Sequence, residues 1–433
     1  MDRRSFVKKS ALAVTAATIL PRKVFGKMGG DNSYIAPSDQ ITHGVIGVGG
    51  IGRSPNHFFS NDRCRLVALC DADAKHLSSA DEAAKKRFDV NAAIYRDWRD
   101  LVHDPNMDIV HIATPPHWHG IMSLEAIAAG KDIFCEKPMT RTIGESRRVM
   151  EAIQHRGNIF RLNTWFRFTD TFYGLGTEVK PLKKLVQSGL LGWPLTVRIS
   201  GATGFTWKFY WTGKENLSPE PVPAELDYDM WLGPAPMKPY NPHRVHQTFR
   251  GYWDYDGGGL ADMGQHYIDP VQYILGKDDD FPVKVEVDAP QQHPDAVGIW
   301  RSITYTYADG CRIILEGEGY ESSGKVPYIE GPEGCVYKGF ECSIPNVWDI
   351  INELPDPQPQ NTDFLDCVHT RRKFALDEIK GHHSCTVVNM GVVALRLGRT
   401  LHFDPLAQRF VGDEAANLLL DQPARGEWAK YLL

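Results

Sequence analysis

The sequence predicts an α/β fold in which a parallel-sheet domain precedes an α+β domain, and three observations carry that expectation. From Ile41 to about Arg161, short apolar runs alternate with helix-period stretches, the pattern of a parallel sheet with crossover helices. The first run feeds Gly47-Val48-Gly49-Gly50-Ile51-Gly52, a G-x-G-x-x-G loop. Beyond residue 157 the character changes, and residues 195–199 and 303–307 alternate or carry β-branched side chains as antiparallel strands do. At 433 residues the chain is long for one core, so two domains are expected.

The elements follow in order. Residues 1–26 stand apart from the fold. Arg3 and Arg4 sit in a twin-arginine pattern, and the apolar segment 11–20 behind it is too short for a bilayer-spanning helix. Cleavage near Gly26 is expected, giving an exported, periplasmic protein with no membrane span in the mature chain. Residues 27–39, with Gly29-Gly30 and Pro37 among small and polar residues, read as a linker. The first domain covers 40–162, with strands at 41–48, 65–70, 92–95, 108–113 and 132–135. Helices are expected from the glycine loop through Phe58, over 74–87, and over 118–129 before Gly130. The second domain covers 163–433. It holds a loop region at 201–256 dense in Pro, Gly and aromatics, then helices at 363–370 and 384–398. Loops of that length are uncommon unless functional.

The glycine loop gives the first domain its chemistry. Gly47 and Gly52 permit a tight turn, and the amides of Gly49, Gly50 and Ile51 can approach a pyrophosphate. A second apolar run, 66–70, ends in Asp71, nineteen residues beyond Gly52. There a Rossmann NAD-binding domain places the acid that bonds the adenosine ribose. A carboxylate at that point repels a 2′-phosphate, which favours NAD over NADP, although Arg53 offsets part of the repulsion. Thr114, Pro115 and His119 follow the fourth strand at the ligand edge of the sheet and, with Glu136 and Lys137, are candidate cofactor contacts. Glu136-Lys137-Pro138 follows the fifth, so Lys137 points into the crevice.

The second domain offers Gly257-Gly258-Gly259-Leu260-Ala261-Asp262-Met263-Gly264-Gln265-His266. On a helix, Asp262 and His266 share a face one turn apart, and a carboxylate there can fix an imidazole's tautomer and raise its basicity. Aromatic stretches at 205–211 and at Phe249, Tyr252, Trp253 and Tyr255 suit stacking on sugar rings. They equally suit a loop-anchoring core or a subunit contact. Trp165, Arg167, Arg250 and Trp253 are candidate substrate contacts. With a formal net charge of −6 and no basic run beyond the first few residues, a nucleic-acid partner is disfavoured. The eight cysteines form no C-x-x-C and no His/Cys cluster of zinc spacing, so no metal is expected. Whether Cys335 and Cys342 pair stays open.

Taken in order, the glycine loop, Asp71, the Thr114-Pro115 turn, Glu136-Lys137-Pro138 and the Gly-Gly-x-x-x-Asp-x-x-x-His segment resemble those of the Gfo/Idh/MocA (glucose–fructose oxidoreductase/inositol dehydrogenase) family. The resemblance runs from Thr42 to about Gly412. It implies a Rossmann domain followed by a large open, mostly antiparallel sheet used for oligomer contacts, in a homodimer or homotetramer. It also implies that Lys137, Asp262 and His266 form the catalytic group of an NAD-dependent oxidoreductase acting on a sugar, glycoside or polyol secondary alcohol. In that reading His266 is the general base, with a pKa near operating pH. Asp262 orients it, and Lys137 stabilises the alkoxide and holds the nicotinamide ribose. The loop 201–256 is longer than in the compact sugar dehydrogenases. Two alternatives use the same residues differently. A redox-assisted glycosidase or lyase would recycle a tightly bound NAD. A non-catalytic dinucleotide-bound sugar-binding protein would not need the three side chains to converge.

Overall fold

Six parallel strands make the first sheet: β1 Ile41–Ile46, β2 Cys64–Cys70, β3 Ala93–Tyr95, β4 Ile109–Ile112, β5 Asp132–Glu136 and β6 Phe160–Asn163. Their order is β3-β2-β1-β4-β5-β6, so the winding reverses between β1 and β4. That reversal opens a crevice at the carboxyl ends of the strands, where the glycine loop and the Thr114 turn emerge. β4 and β5 are buried at every residue, which is why apolar residues follow one another along them without alternating. The computed structural model describes residues 40–164, 166–168, 178–320 and 325–431. The twin-arginine segment 1–26, the linker 27–39 and Trp165 lie outside the described residues.

The crossover helices start where side chains satisfy their first amides. Asp73 accepts from the backbone of Lys75 and His76 ahead of the helix Ala74–Phe88, and Thr142 with Glu145 makes a reciprocal capping box on Ile143–Arg156. The helix expected from the glycine loop through Phe58 does not form. Only a 3₁₀ turn, Ile51–Arg53, follows the glycines. Ser54 precedes Pro55 and is held extended at ψ 158°, because the proline ring crowds the helical region of its neighbour.

The second sheet has nine strands: β7 Thr196–Ser200, β8 Lys284–Asp288, β9 Ser302–Thr306, β10 Arg312–Glu316, β11 Ile329–Glu330, β12 Cys335–Tyr337, β13 Glu341–Cys342, β14 Leu401–Asp404 and β15 Arg409–Phe410. They run in the order β13-β12-β11-β7-β10-β9-β8-β14-β15, and every neighbouring pair is antiparallel except β7 with β10. One face packs on the helices Gly258–Leu275 and Glu378–Leu397, with Ile303, Tyr305, Ile313 and Leu315 meeting Leu260, Tyr267, Val271 and Val388. The later chain also returns to the first domain. Phe364, Phe374, Leu376 and Trp428 share the core of the parallel sheet, and the Leu162 amide donates to the Leu376 carbonyl at 3.2 Å. Cys335 and Cys342 sit on adjacent strands as free thiols. Among the described residues no helix is long and apolar enough to cross a membrane.

The aromatic loop has a core of its own. Tyr228, Trp231, Tyr240, Phe249, Tyr252 and Tyr255 pack together with Leu232 and Val245. Most of its rings therefore anchor the loop. Trp253 is among the buried ones, 2 % exposed with its indole N–H donating to the His293 carbonyl, so it is not the sugar contact expected of it.

Candidate active site

At the head of the crevice the glycines do what only glycine can. Gly47 sits at φ +85°, and a Cβ on Gly52 would come within 1.9 Å of the Gly47 carbonyl oxygen. Gly50 faces open space. The Asp71 carboxylate accepts from the Val48 amide at 2.8 Å and from the Asp73 amide at 2.9 Å, tying the acid to the glycine loop. This cradle fits a dinucleotide, with the loop amides for the pyrophosphate and Asp71 for the ribose. Asp73, His76 and His246 meet beside it, with ligand-type atoms within 4.8 Å of one another, so the aromatic loop reaches the acid-bearing turn of the first domain. His119 plays a different part from the expected cofactor contact. It is fully buried, with Nδ1 2.7 Å from the Pro138 carbonyl and Nε2 2.8 Å from that of Thr114. The imidazole braces the two loops that flank the crevice.

At the other end three distant segments meet. Lys137, at the carboxyl end of β5, donates from Nζ to Asp262 Oδ1 at 2.8 Å and to the Asp262 carbonyl at 2.7 Å. Arg250 Nε donates to the same Oδ1 at 2.8 Å, and Lys208 Nζ donates to Oδ2 at 2.9 Å. Burial alone would raise the Asp262 carboxyl, but Lys137, Arg250 and Lys208 hold it well below the usual carboxylate range. His266 lies one turn further along the buried helix. Its Nδ1 is 2.8 Å from Thr164 Oγ1, and its ring stacks on Phe166 at 4.8 Å. Glu136, beside Lys137, is buried yet held down to about 2, its Oε1 being 2.7 Å from His57 Nε2 and 2.6 Å from Asn163 Nδ2.

Two expectations about this pair are corrected. The Asp262 carboxylate is engaged by three cations, and Thr164 rather than Asp262 sits against the imidazole Nδ1. The His266 pKa is not near 7: burial, with Lys137 adding to it, depresses it to about 3. The imidazole is thus neutral across the physiological range. Spacing along the helix carried no sign of Lys208, Thr164, His57 or Asn163. The glycine run explains Lys208, since a Cβ on Gly259 would lie 1.9 Å from the Trp207 carbonyl oxygen. Only glycine there lets the 207–208 backbone lie against the helix start.

Arg167 is also reassigned. Its guanidinium is buried and bonds Asp269 through Nε at 2.8 Å and Nη2 at 2.5 Å, with Asp278 at 2.8 Å beyond. Such a bidentate pair has little to offer a substrate hydroxyl. Arg167→Leu would leave Asp269 buried with its main partner gone, so unfolding titrations are expected to show a loss of about 3–5 kcal/mol. A variant of unchanged stability with a raised KM would restore Arg167 to the substrate.

Family models cover nearly all of the described chain, an oxidoreductase-family NAD-binding Rossmann fold over residues 41–164 and an oxidoreductase-family C-terminal alpha/beta domain over residues 175–430. The chain belongs to the Gfo/Idh/MocA oxidoreductase family. An inositol 2-dehydrogenase of Salmonella typhimurium is 30% identical over 191 residues, which are 44% of this chain and 53% of that protein. A glycosyl hydrolase family 109 protein of Shewanella sp. (strain ANA-3) is 36% identical over 159 residues, 33% of this chain and 35% of its own. The match thus spans roughly a third to a half of the length of these curated relatives. Among solved structures, the WlbA dehydrogenase from Bordetella pertussis in complex with NADH and UDP-GlcNAcA superposes with a TM-score of 0.57 at 18% identity, covering 84% of this chain and 99% of that one. At that identity the likeness is one of fold. For this Gfo/Idh/MocA protein the first domain is an NAD-binding Rossmann fold, and the second is a mixed-sheet domain that supplies Asp262 and His266.

Proposed function

We propose that the protein is an NAD-dependent oxidoreductase acting on a secondary alcohol of a sugar, glycoside or polyol, with Lys137, Asp262 and His266 at the reacting carbon. The observation that carries this reading is the 2.8 Å contact between Lys137 and Asp262 across the two domains, with His266 one turn along the same helix. A sugar-binding protein without chemistry has no need of that convergence. Relatives named inositol 2-dehydrogenase and levoglucosan dehydrogenase support an alcohol of this class. When bound, NAD supplies the hydride acceptor. Lys137 donates a hydrogen bond to the oxygen that gains charge, and Asp262 fixes the direction of that ammonium. His266, uncharged in its buried site, takes the hydroxyl proton.

Two measurements follow from this arrangement. Because the imidazole is depressed to about 3, protonation disables it only in strong acid. The acid limb of kcat/KM is therefore expected below about pH 5, not near 6.5; a limb between pH 6 and 7 would point to another base. Asp71→Ala is expected to weaken NAD by about 10- to 100-fold in a fluorescence titration, and NADP by less. Equal losses for both dinucleotides would remove Asp71 from the ribose.

The relative named glycosyl hydrolase family 109 favours a second reading, in which a retained NAD is reduced and reoxidised within each glycoside-cleaving cycle. Product analysis separates the two: stoichiometric NADH with an oxidised sugar supports the dehydrogenase, and glycoside cleavage without net NADH supports the hydrolase. Export of the folded, cofactor-loaded protein through the twin-arginine pathway, proposed from residues 1–26, is tested by whether Arg3→Lys with Arg4→Lys keeps it in the cytoplasm.

A further inference from the structure

The cleft around Asp262 holds more positive charge than the proposed chemistry uses. Three cations, Lys137, Lys208 and Arg250, converge on one carboxylate, leaving a surplus of two positive charges among these four groups. Glu136, held ionised with its Oε1 against His57 and Asn163, acts on Lys137 and Arg250 and offsets about one of these charges, so a net positive charge remains. Asp256, the other buried carboxyl nearby, is pushed up to about 7 by burial and by Asp262, and so carries only part of a charge at neutral pH. Partly desolvated cations in surplus carry a cost that a further anion would relieve.

Lys137 has a task at the reacting oxygen, and one cation is enough to direct Asp262. Lys208 and Arg250 are therefore the unexplained pair, and both come from the long loop 201–256. Their placement is built rather than incidental. Lys208 holds a left-handed backbone at φ +52°, a conformation that costs a non-glycine residue energy and persists only where the surroundings impose it. Gly259 admits the carbonyl groups of Trp207 and Lys208 against the helix start. Arg250 lies over the rings of Trp211 and Phe249, 5.1 Å and 4.8 Å from their centroids. Both side chains stay partly open, Lys208 at 31% and Arg250 at 22%. Lys208 also lines a concavity of about 420 Å³ shared with Phe205, Phe209 and Tyr210. Of the acids along it, Glu316 is paired with Arg198 at 3.3 Å and Glu318 is exposed.

We propose that Lys208 and Arg250 form a carboxylate-binding subsite, and that the substrate is an acidic sugar, a hexuronate or its glycoside, with its carboxylate held beside the alcohol to be oxidised. This rests on the oxidoreductase reading and narrows it. A carboxylate accepts charge-assisted hydrogen bonds from both side chains, and such bonds are about twice as strong as neutral ones. A neutral hexose would leave the surplus charge where it is.

The test is calorimetric binding of D-glucuronate and D-galacturonate to the NADH-loaded full-length protein, against D-glucose and D-galactose, for wild type, Lys208→Gln and Lys208→Arg. At least one uronate is expected to bind about tenfold or more tightly than its neutral counterpart. Lys208→Gln is expected to abolish that preference while leaving hexose affinity within about twofold, and Lys208→Arg to keep most of it. Should Lys208→Gln fail to fold, the wild type decides by salt: uronate affinity falls as salt is raised and hexose affinity does not. Uronates binding no better than hexoses, or both weakened equally by Lys208→Gln, would overturn the subsite. A uronate preference with no reduction of the nicotinamide when the same uronates are given to the NAD-loaded protein would instead sink the oxidoreductase reading and leave the subsite standing.

Discussion

His266→Ala is expected to lower kcat by about 10²–10⁴-fold while NAD affinity stays within about twofold. The imidazole is buried between Phe166 and Thr164, at the end of the crevice opposite Asp71 and the glycine loop. Its removal takes away the group placed to accept a proton without disturbing the cradle for the adenosine half. Stopped-flow turnover and NAD titration on the same preparation check the two halves of this expectation. Turnover within about tenfold of wild type would give the proton to another group. Loss of NAD affinity in parallel would mean that the imidazole supports the crevice rather than the chemistry.

Lys137→Met is expected to cost about 10²–10³-fold in kcat/KM, because it removes the one of these three cations on Asp262 that comes from the NAD-binding domain, directly after β5. The fold should survive the change. Asp262 keeps Arg250 at 2.8 Å and Lys208 at 2.9 Å, so its buried charge is not stranded. Arginine at 137 is not expected to rescue activity, since a planar fork cannot reach Asp262 Oδ1 and the Asp262 carbonyl from the ammonium's position. A melting temperature close to wild type beside the lost rate checks this. A parallel collapse of both would assign Lys137 to structure.

Much of this architecture was legible in the chain itself, and the exceptions have physical causes. Strands β1 to β5 fall within two residues of their expected ends because each is an apolar run bounded by a turn or a glycine. The helix Glu378–Leu397 begins six residues earlier than its apolar period suggests: Gly381, His382 and His383 dilute that period, but Asp377 caps the true start. Strands β11, β13 and β15 are two residues long, too short to carry a period of two. At the site, Lys137 and Asp262 were marked by local motifs, and the structure brings them together. Thr164, Asn163 and His57 were not, because each meets its partner through tertiary packing alone. Lys208 read as one lysine among loop aromatics, and its reach to Asp262 depends on Gly259, some fifty residues away. The spacing of Asp262 and His266 was sound, but a carboxylate near three cations turns toward charge in preference to a neutral ring.

The most direct test is a single-turnover measurement of reduced-nicotinamide absorbance when the NAD-loaded protein meets a panel of sugars, uronates, glycosides and polyols. Both the dehydrogenase and the internally recycling reading call for a rise with at least one compound. That rise should slow by about 10² or more in His266→Ala and in Lys137→Met. No reduction with any compound, or reduction at the wild-type rate in both variants, would contradict a redox centre built from Lys137, Asp262 and His266.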